Sequence, residues 1–174
     1  MRTARRDMLR TALILAQLGA LSTASLANEA RPASNSAVVD VAVGDPVMEA
    51  AKRKARSTLP EYFAIAANPK PTMQGFAVKV GMKAHAQMEF IWVAAVEKKD
   101  GKFHGRLANQ PKGIPSLNRG DAVTFAEADI VDWMYIEGDR MRGHYTTCAL
   151  ARTPRMVEAF RANYGLDCGA PAGL

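Results

Sequence analysis

The sequence predicts an α+β domain, in which an antiparallel sheet of about five to six strands follows two helices and precedes one more. Apolar residues recur at helical spacing in residues 46–67 and 154–164, and with a period of two through most of residues 74–150. Turn-forming residues separate the alternating runs, which predicts a meander of hairpins. A meander of this length can curve strongly, and the sequence leaves open whether it closes into a barrel.

Local signals place the two helices that precede the sheet. Asp45 is a suitable N-cap for the first helix, and Pro46 suits its first position because no backbone donor is needed there. Thr58 and Glu61 have the spacing of a capping box. A second, short helix is therefore expected to run to about Ala67.

Six segments have the character of strands. The second is apolar on both faces, which is typical of a central strand, and an Asp-Gly pair at residues 100–101 predicts a tight turn after it. Two prolines and a glycine make residues 109–115 a loop of the kind that often carries binding groups. After the sheet, a helix is expected from Pro154 to Tyr164. The predicted strands are residues 76–82, 88–96, 103–108, 122–126, 131–137 and 141–150.

The N-terminus has the three-part pattern of an export signal. Four arginines within the first ten residues accompany an apolar run from Leu9 to Leu21, and Ser25, Leu26 and Ala27 form a small-x-small cleavage motif. The apolar run is shorter than the roughly 20 residues that a membrane span needs. We expect residues 1–27 to be a signal peptide and the mature protein to be periplasmic or secreted. An adjacent arginine pair leaves both the Sec and the twin-arginine route open.

Cleavage after residue 27 would leave 147 of the 174 residues, enough for one domain. Residues 28–44 are expected to be a flexible linker, residues 45–150 the domain, and residues 151–174 a helix with a tethered tail. The net charge would fall from +6 to +3, because the signal holds four arginines and one aspartate. A charge this small, without a basic stripe, argues against a nucleic-acid partner.

Cys148 and Cys168 are the two cysteines of the chain. An even set of cysteines usually pairs in an oxidising compartment, so we predict a disulfide between them. The bond would close a loop of roughly 20 residues and tie the C-terminal segment to the last strand. A redox-active pair is the alternative, but the Cys-x-x-Cys spacing is missing.

The chain carries no recognisable catalytic, cofactor or metal motif, and no cofactor or metal is predicted. His85, His104 and His144 lack the spacing of a zinc site. Asp129 and Asp132 could share acid–base chemistry, but their positions next to turns favour turn capping.

A further pattern runs through residues 103–111, 120–125, 129–135 and 143–146, and upstream through Met48, Ala51, Ala55, Arg56, Thr58, Leu59, Phe76, Val78, Lys79, Glu89 and Trp92. In order and spacing these residues resemble the YegJ-like family, a bacterial domain of unknown function (2314). The resemblance covers about residues 45–150, and the Asp-Ile-x-Asp-Trp segment at residues 129–133 is fairly specific. The family pattern places a basic residue shortly after a Tyr-Thr pair, where this chain has Cys148. The resemblance implies the architecture but no activity, and residues 151–174 would be a local addition.

We therefore expect a non-enzymatic periplasmic domain that binds an unidentified protein or small ligand. Trp133 and Tyr135 share one strand face, which indicates core packing more than a ligand platform. Two alternatives stay open: a hydrolase that uses Asp129 or Asp132 with His104 or His144, and an immunity-type inhibitor of an exported toxin. The candidate binding residues are Asn109, Pro111, Asp129, Asp132, Trp133, Tyr145 and Thr146.

The export signal predicts the N-terminus of the mature protein. Mass spectrometry of the periplasmic fraction should find a chain that starts near Asn28. An intact Met1 on protein recovered from the cytoplasmic fraction would contradict the prediction.

Overall fold

An antiparallel sheet of six strands forms the centre of the computed structural model, which describes residues 42–169. The expected signal peptide and most of the expected linker lie outside these residues. The strands are β1 (Met73–Ala84), β2 (Gln87–Lys99), β3 (Lys102–Leu107), β4 (Ala122–Phe125), β5 (Ile130–Glu137) and β6 (Arg140–Gly143). The helices are α1 (Pro46–Ser57), α2 (Leu59–Ala67), α3 (Tyr145–Cys148) and α4 (Pro154–Tyr164), with a 3₁₀ turn at Glu127–Asp129.

The strands lie in the order β4-β3-β2-β1-β5-β6, so the sheet is open and does not close into a barrel. This confirms the predicted α+β class. β5 pairs with β1 and not with β4, so the strand order departs from a simple meander at this point. Both strands suit a central position, because Val78, Val80 and Ile130 are at most 1% exposed.

The predicted cap at Asp45 is present, α4 has a cap at Thr153, and the predicted capping box at Thr58 is wrong. The Asp45 carboxylate accepts a hydrogen bond from the Met48 amide at 2.8 Å, and the Thr153 hydroxyl accepts one from the Met156 amide at 3.3 Å. The capping box at Thr58 does not form. Its hydroxyl donates instead to backbone carbonyls of α1, because α2 begins directly where α1 ends.

The prediction of a last strand over residues 141–150 is wrong beyond Gly143. The backbone turns there, with a φ of +77° at Gly143 and +58° at His144, and residues 145–148 form α3. A Cβ at position 143 would collide with the carbonyl oxygen and the ring of Trp133, so only glycine fits. The alternating pattern alone does not reveal this turn.

Aromatic side chains fill the core between one face of the sheet and the helices α1 and α2. The Trp133 ring stacks on Tyr62 at 5.3 Å and on Tyr135 at 6.0 Å between ring centroids. The indole N–H of Trp133 donates to the Ala55 carbonyl and to the Thr58 hydroxyl, both at 3.1 Å. Trp133 and Tyr135 are 6% and 7% exposed, which confirms the core interpretation of this pair.

A disulfide joins Cys148 and Cys168, whose Cα atoms are 5.2 Å apart. The predicted pairing is therefore present, although Cys148 lies at the end of α3 and not in a strand. The bond connects the end of this short helix to the segment that follows α4. A half-exposed ion pair between Arg152 and Asp45, at 2.9 Å, joins the same region to the start of α1.

Removal of the disulfide should loosen the C-terminal segment first. We expect no free thiol in the native protein, and a loss of about 2 to 4 kcal/mol in the free energy of unfolding when both cysteines become serine. Residues 45–150 should stay folded, as judged by amide exchange in β1 and β2. Wild-type protein kept in reductant is the matched control and should unfold at the same denaturant concentration as the variant. Two free thiols in protein purified from the periplasm would refute the pairing in the cell.

Candidate functional site

Polar side chains meet on the face of the sheet opposite the aromatic core. The strand register places Lys79 of β1 beside Trp92 of β2 and Asp132 of β5. Alternate residues of a strand face opposite sides, so these three point away from the side that Trp133 occupies. His144 and Thr146 approach them from the end of β6 and from α3. We name the five residues Lys79, Trp92, Asp132, His144 and Thr146 the Asp132 cluster.

Asp132 is fully buried and accepts four hydrogen bonds. Its Oδ1 atom accepts from the amides of Trp133 at 2.9 Å and Tyr145 at 3.1 Å. Its Oδ2 atom accepts from the Thr146 amide at 2.8 Å and from the Thr146 hydroxyl at 2.6 Å. Two of these donors are the first amides of α3, which have no partner within the helix. The carboxylate therefore caps α3 from a distant strand.

Lys79 approaches Asp132 through the hydroxyl of Thr146. The Lys79 ammonium donates to Thr146 Oγ1 at 2.7 Å and lies 4.7 Å from the centre of the Trp92 ring. Burial lowers the pKa of Lys79, and the nearby Asp132 charge opposes this shift. Burial raises the pKa of Asp132, while the hydrogen bond from the Thr146 hydroxyl and the charge of Lys79 lower it. Four donors around the carboxylate suit its ionised form, since a proton on it would face another donor.

His144 completes the cluster beside Trp92, with 4.7 Å between ring centroids. Its Nδ1 atom shares a hydrogen bond with the Thr147 hydroxyl at 2.8 Å, and its Nε2 atom lies 3.1 Å from the Met134 sulfur. Burial lowers the pKa of His144 to about 4, with a further contribution from Lys79. The ring is therefore neutral at pH 7.

The residues suggested for hydrolase chemistry do not form an acid–base pair within the described chain. Neither ring nitrogen of His144 bonds Asp132. His104 lies on β3, separated from β5 by two strands, and shares a hydrogen bond with the Thr124 hydroxyl at 3.0 Å. Asp129 lies in the exposed 3₁₀ turn and accepts from the Ala126 amide, which is the turn-capping role expected for it.

Two side chains hold the loop at residues 109–117 against β2, one from the loop and one from the strand. Asn109 accepts a hydrogen bond from the Trp92 amide at 2.8 Å. The two carboxylate oxygens of Glu89 accept from the amides of Lys112 at 2.6 Å and Gly113 at 2.8 Å. Pro111 is buried beneath the loop. The sequence signal for the role of Glu89 is a lone carboxylate within an otherwise apolar strand.

An open groove of about 220 Å³ lies beside the end of the β1–β2 hairpin. Its apolar side chains are Met88 and Phe90, which are 55% and 44% exposed. Lys52 lies 5.0 Å from the centre of the Phe90 ring. A Cβ at Gly81 would come within 3.2 Å of that ring, so glycine allows Phe90 to lie across the strand. We name this feature the Phe90 groove; its lining residues are Glu49, Lys52, Arg56, Gly81, Met88, Phe90, Ala128, Asp129 and Val131.

The structure divides the candidate binding residues among four places. Asp132, Thr146 and Tyr145 meet at the start of α3, while Trp133 and Pro111 are buried. Asn109 fixes the loop, and Asp129 lines the groove. Met88 and Phe90 are the residues that sequence reasoning missed. Their alternation predicted a buried strand, and only the packing leaves this end of it uncovered.

Metal binding and membrane insertion can both be examined over the described residues. Within residues 42–169, no group of three or more histidine, cysteine, aspartate or glutamate side chains is arranged to hold a metal ion. In the same part of the chain, no helix is long and apolar enough to cross a membrane.

Comparisons with known proteins place the chain among bacterial sequences. Residues 45–170 match the family described as "Uncharacterized protein conserved in bacteria (DUF2314)". The match includes α4 and both cysteines, whereas the resemblance in the sequence ended near residue 150. A relative, "Uncharacterized protein YegJ" of Escherichia coli (strain K12), is 34% identical over 84 residues. These residues are 48% of this chain and 55% of the relative, so the chain spans about half the length of that protein. No solved structure matches.

Replacement of Asp132 by asparagine should strongly destabilise the domain. An amide has one acceptor atom, so donors at the start of α3 lose their partner and Lys79 loses its counter-charge. We expect a loss of about 3 to 5 kcal/mol in the free energy of unfolding, measured with urea at pH 7. Asp129→Asn is the matched control, because an exposed amide oxygen can still cap Ala126. Equal unfolding midpoints for the two variants would contradict the capping role of Asp132.

Stability should depend on pH through His144. Its pKa in the folded chain is about 4, below its ordinary value of about 6.5, so its contribution is present above pH 6.5 and is lost as the pH falls toward 4. His144→Asn keeps the left-handed backbone accessible and removes the titrating ring. Between pH 7 and pH 4.5, wild-type protein should lose about 2 to 3 kcal/mol more than this variant in urea unfolding. His104→Asn, a variant of an exposed histidine on β3, is the control and should lose as much stability as the wild type. Equal losses in the free energy of unfolding in all three proteins would refute the role of His144.

Proposed function

The chain belongs to the DUF2314 family of bacterial proteins, and from its geometry we propose that it is an exported, non-enzymatic domain that binds a polypeptide partner. The Phe90 groove carries this proposal. Met88 and Phe90 are adjacent on one strand face and are about half exposed, beside the charged side chains of α1. An exposed apolar patch with a polar rim is typical of a protein interaction site.

The state of the polar cluster supports a binding role over a catalytic one. Each oxygen of Asp132 already accepts two hydrogen bonds, and both ring nitrogens of His144 have partners. A general base must have a lone pair that can reach a substrate. The buried cluster instead holds α3 against the sheet, and thereby supports the surface around Trp92.

The shape of the groove supports a polypeptide over a small molecule. Its volume of about 220 Å³ is below the roughly 300 to 1,000 Å³ of most small-molecule pockets, and it is open to solvent. The loop at residues 109–117 is held on the other strand face, because Glu89 alternates with Met88 and Phe90 and accepts the loop's amides.

The disulfide supports the extracytoplasmic location. Stable disulfides are typical of oxidising compartments and rare in the cytosol, and Cys148 and Cys168 are bonded. We propose cleavage near Ala27, followed by folding of residues 45–150 as the binding domain and of residues 151–174 as a tethered segment.

A photo-crosslinking amino acid at position 90 tests the function in living bacteria. The full chain with its own N-terminus is produced in its native host, and the position-90 crosslink should contain one defined partner polypeptide. That partner, once purified, should bind wild-type protein in calorimetry and should bind Phe90→Ser at least about tenfold more weakly. Tyr164 is 52% exposed on α4 and provides the matched control position. The same crosslinks at both positions, or equal affinity for Phe90→Ser, would contradict the proposal.

A further inference from the structure

One edge of β1 is unpaired beside the Phe90 groove. β5 begins at Ile130, opposite Val80, so Gly81–Ala84 pair with β2 alone. The Trp92 backbone bonds Ala108 and Asn109 on the β3 side, so its partner Lys79 directs its own backbone groups away from β2. Alternate residues of an antiparallel strand share this direction, so Gly81 and Lys83 direct their backbone groups toward the groove. Unpaired backbone groups at a strand edge are a template for a further strand.

The side chains beside this edge suit an apolar residue on the added strand. Gly81 pairs with Phe90, and Lys83 pairs with Met88, so these four positions share one face. Gly81 has no side chain, and the Phe90 ring and the Met88 methyl lie across its backbone. A partner residue opposite Gly81 would pack its side chain against that ring.

The carboxylates around the edge are already engaged. Glu49 forms an ion pair with Lys52 at 2.8 Å. Glu89 accepts two backbone amides of the loop, and Asp129 accepts the amide of Ala126.

Lys83 and Arg56, beside the unpaired edge of β1, form no ion pair with a carboxylate within residues 42–169. Lys83 is exposed and forms no ion pair in this part of the chain. The Arg56 guanidinium donates to the carbonyl oxygens of Ile130 and Ala128, at 3.0 and 3.4 Å. Lys83 and Arg56 are therefore the two cations at this edge that can pair with a carboxylate of an added strand.

We infer that Gly81–Ala84 accept an extended, acidic segment of the partner polypeptide as an added strand. The segment has the pattern apolar-x-acidic, with the apolar side chain over Gly81 against Phe90 and the acidic side chain beside Lys83. Main-chain hydrogen bonds supply affinity in this mode, and the alternating side chains supply specificity. This inference rests on the proposed function and names the kind of partner that the groove takes.

A blocked synthetic peptide that repeats Val-Thr-Glu-Thr provides the probe, with the mature chain as the target. Binding should slow the amide exchange of Gly81 and Lys83 by about tenfold at saturation, because both amides become hydrogen-bonded to the added strand. The same peptide with alternate backbone nitrogens methylated cannot form the ladder and should not bind. A peptide with lysine in place of glutamate should bind more weakly.

Variants of the chain separate the charge from the backbone. Lys83→Glu should weaken binding of the acidic peptide by about threefold to tenfold, and Gly81→Ala should weaken it by displacing the Phe90 ring that lies across the strand. Lys102→Glu, at the far turn of the hairpin β2–β3, is the matched control and should leave affinity unchanged.

Three outcomes would overturn the inference. They are equal binding of the methylated peptide, unchanged exchange at both Gly81 and Lys83 in the saturated complex, and absence of binding at millimolar peptide. None of these outcomes contradicts the proposed function, which the crosslink at position 90 tests independently. If that crosslink fails, both the proposed function and this inference are wrong.

Discussion

The carboxylate of Asp132 is the interaction on which the rest of the structure depends. It lies in the middle of the sheet, on β5, and accepts the first two amides of α3. Because α3 begins where these amides meet the carboxylate, β6 has to end at Gly143. The position of α3 then sets that of Tyr145, whose ring contacts Trp133 edge-on at 5.5 Å, and of Cys148 in the disulfide.

Burial of this polar cluster has a cost. An ionised carboxylate and an ammonium both lose hydration, and a hydrophobic pair of similar volume would often be as stable. The Thr146 hydroxyl reduces the cost, since it accepts from Lys79 and donates to Asp132. Directional bonds of this kind select one arrangement of α3 on the sheet. Lys79 also packs its charge on the Trp92 ring, which orders the face that leads to the groove.

The two faces of the sheet are therefore built differently. One face carries the stacked aromatic rings and packs against the helices α1 and α2. The opposite face carries the Asp132 cluster near β5 and leaves the end of the β1–β2 hairpin open. The closed face supplies the stability of the domain. At the open end, the half-exposed Phe90 and the unpaired edge of β1 lie together.

The sequence by itself determined the elements whose signals are local. Asp45 and Pro46 mark the start of α1, the Asp-Gly pair marks the turn before β3, and the period of two marks the strands. The pairing of Cys148 with Cys168 followed from their number and their expected compartment. These features depend on side chains within a few residues of one another, or on composition alone.

Only the tertiary structure decided what depends on distant partners. The pattern of residues 145–148 predicted a strand, but the Asp132 carboxylate, 13 residues before Tyr145, caps them as a helix. The spacing of Thr58 and Glu61 predicted a capping box, but the Thr58 hydroxyl donates to a carbonyl of α1 instead. Likewise, the alternation in β2 cannot show that β5 starts too late to cover Gly81 or that Phe90 stays half exposed. Periodicity records which side of an element is apolar. Which neighbour covers that side depends on strand order and on buried hydrogen bonds, which form only when the whole chain packs.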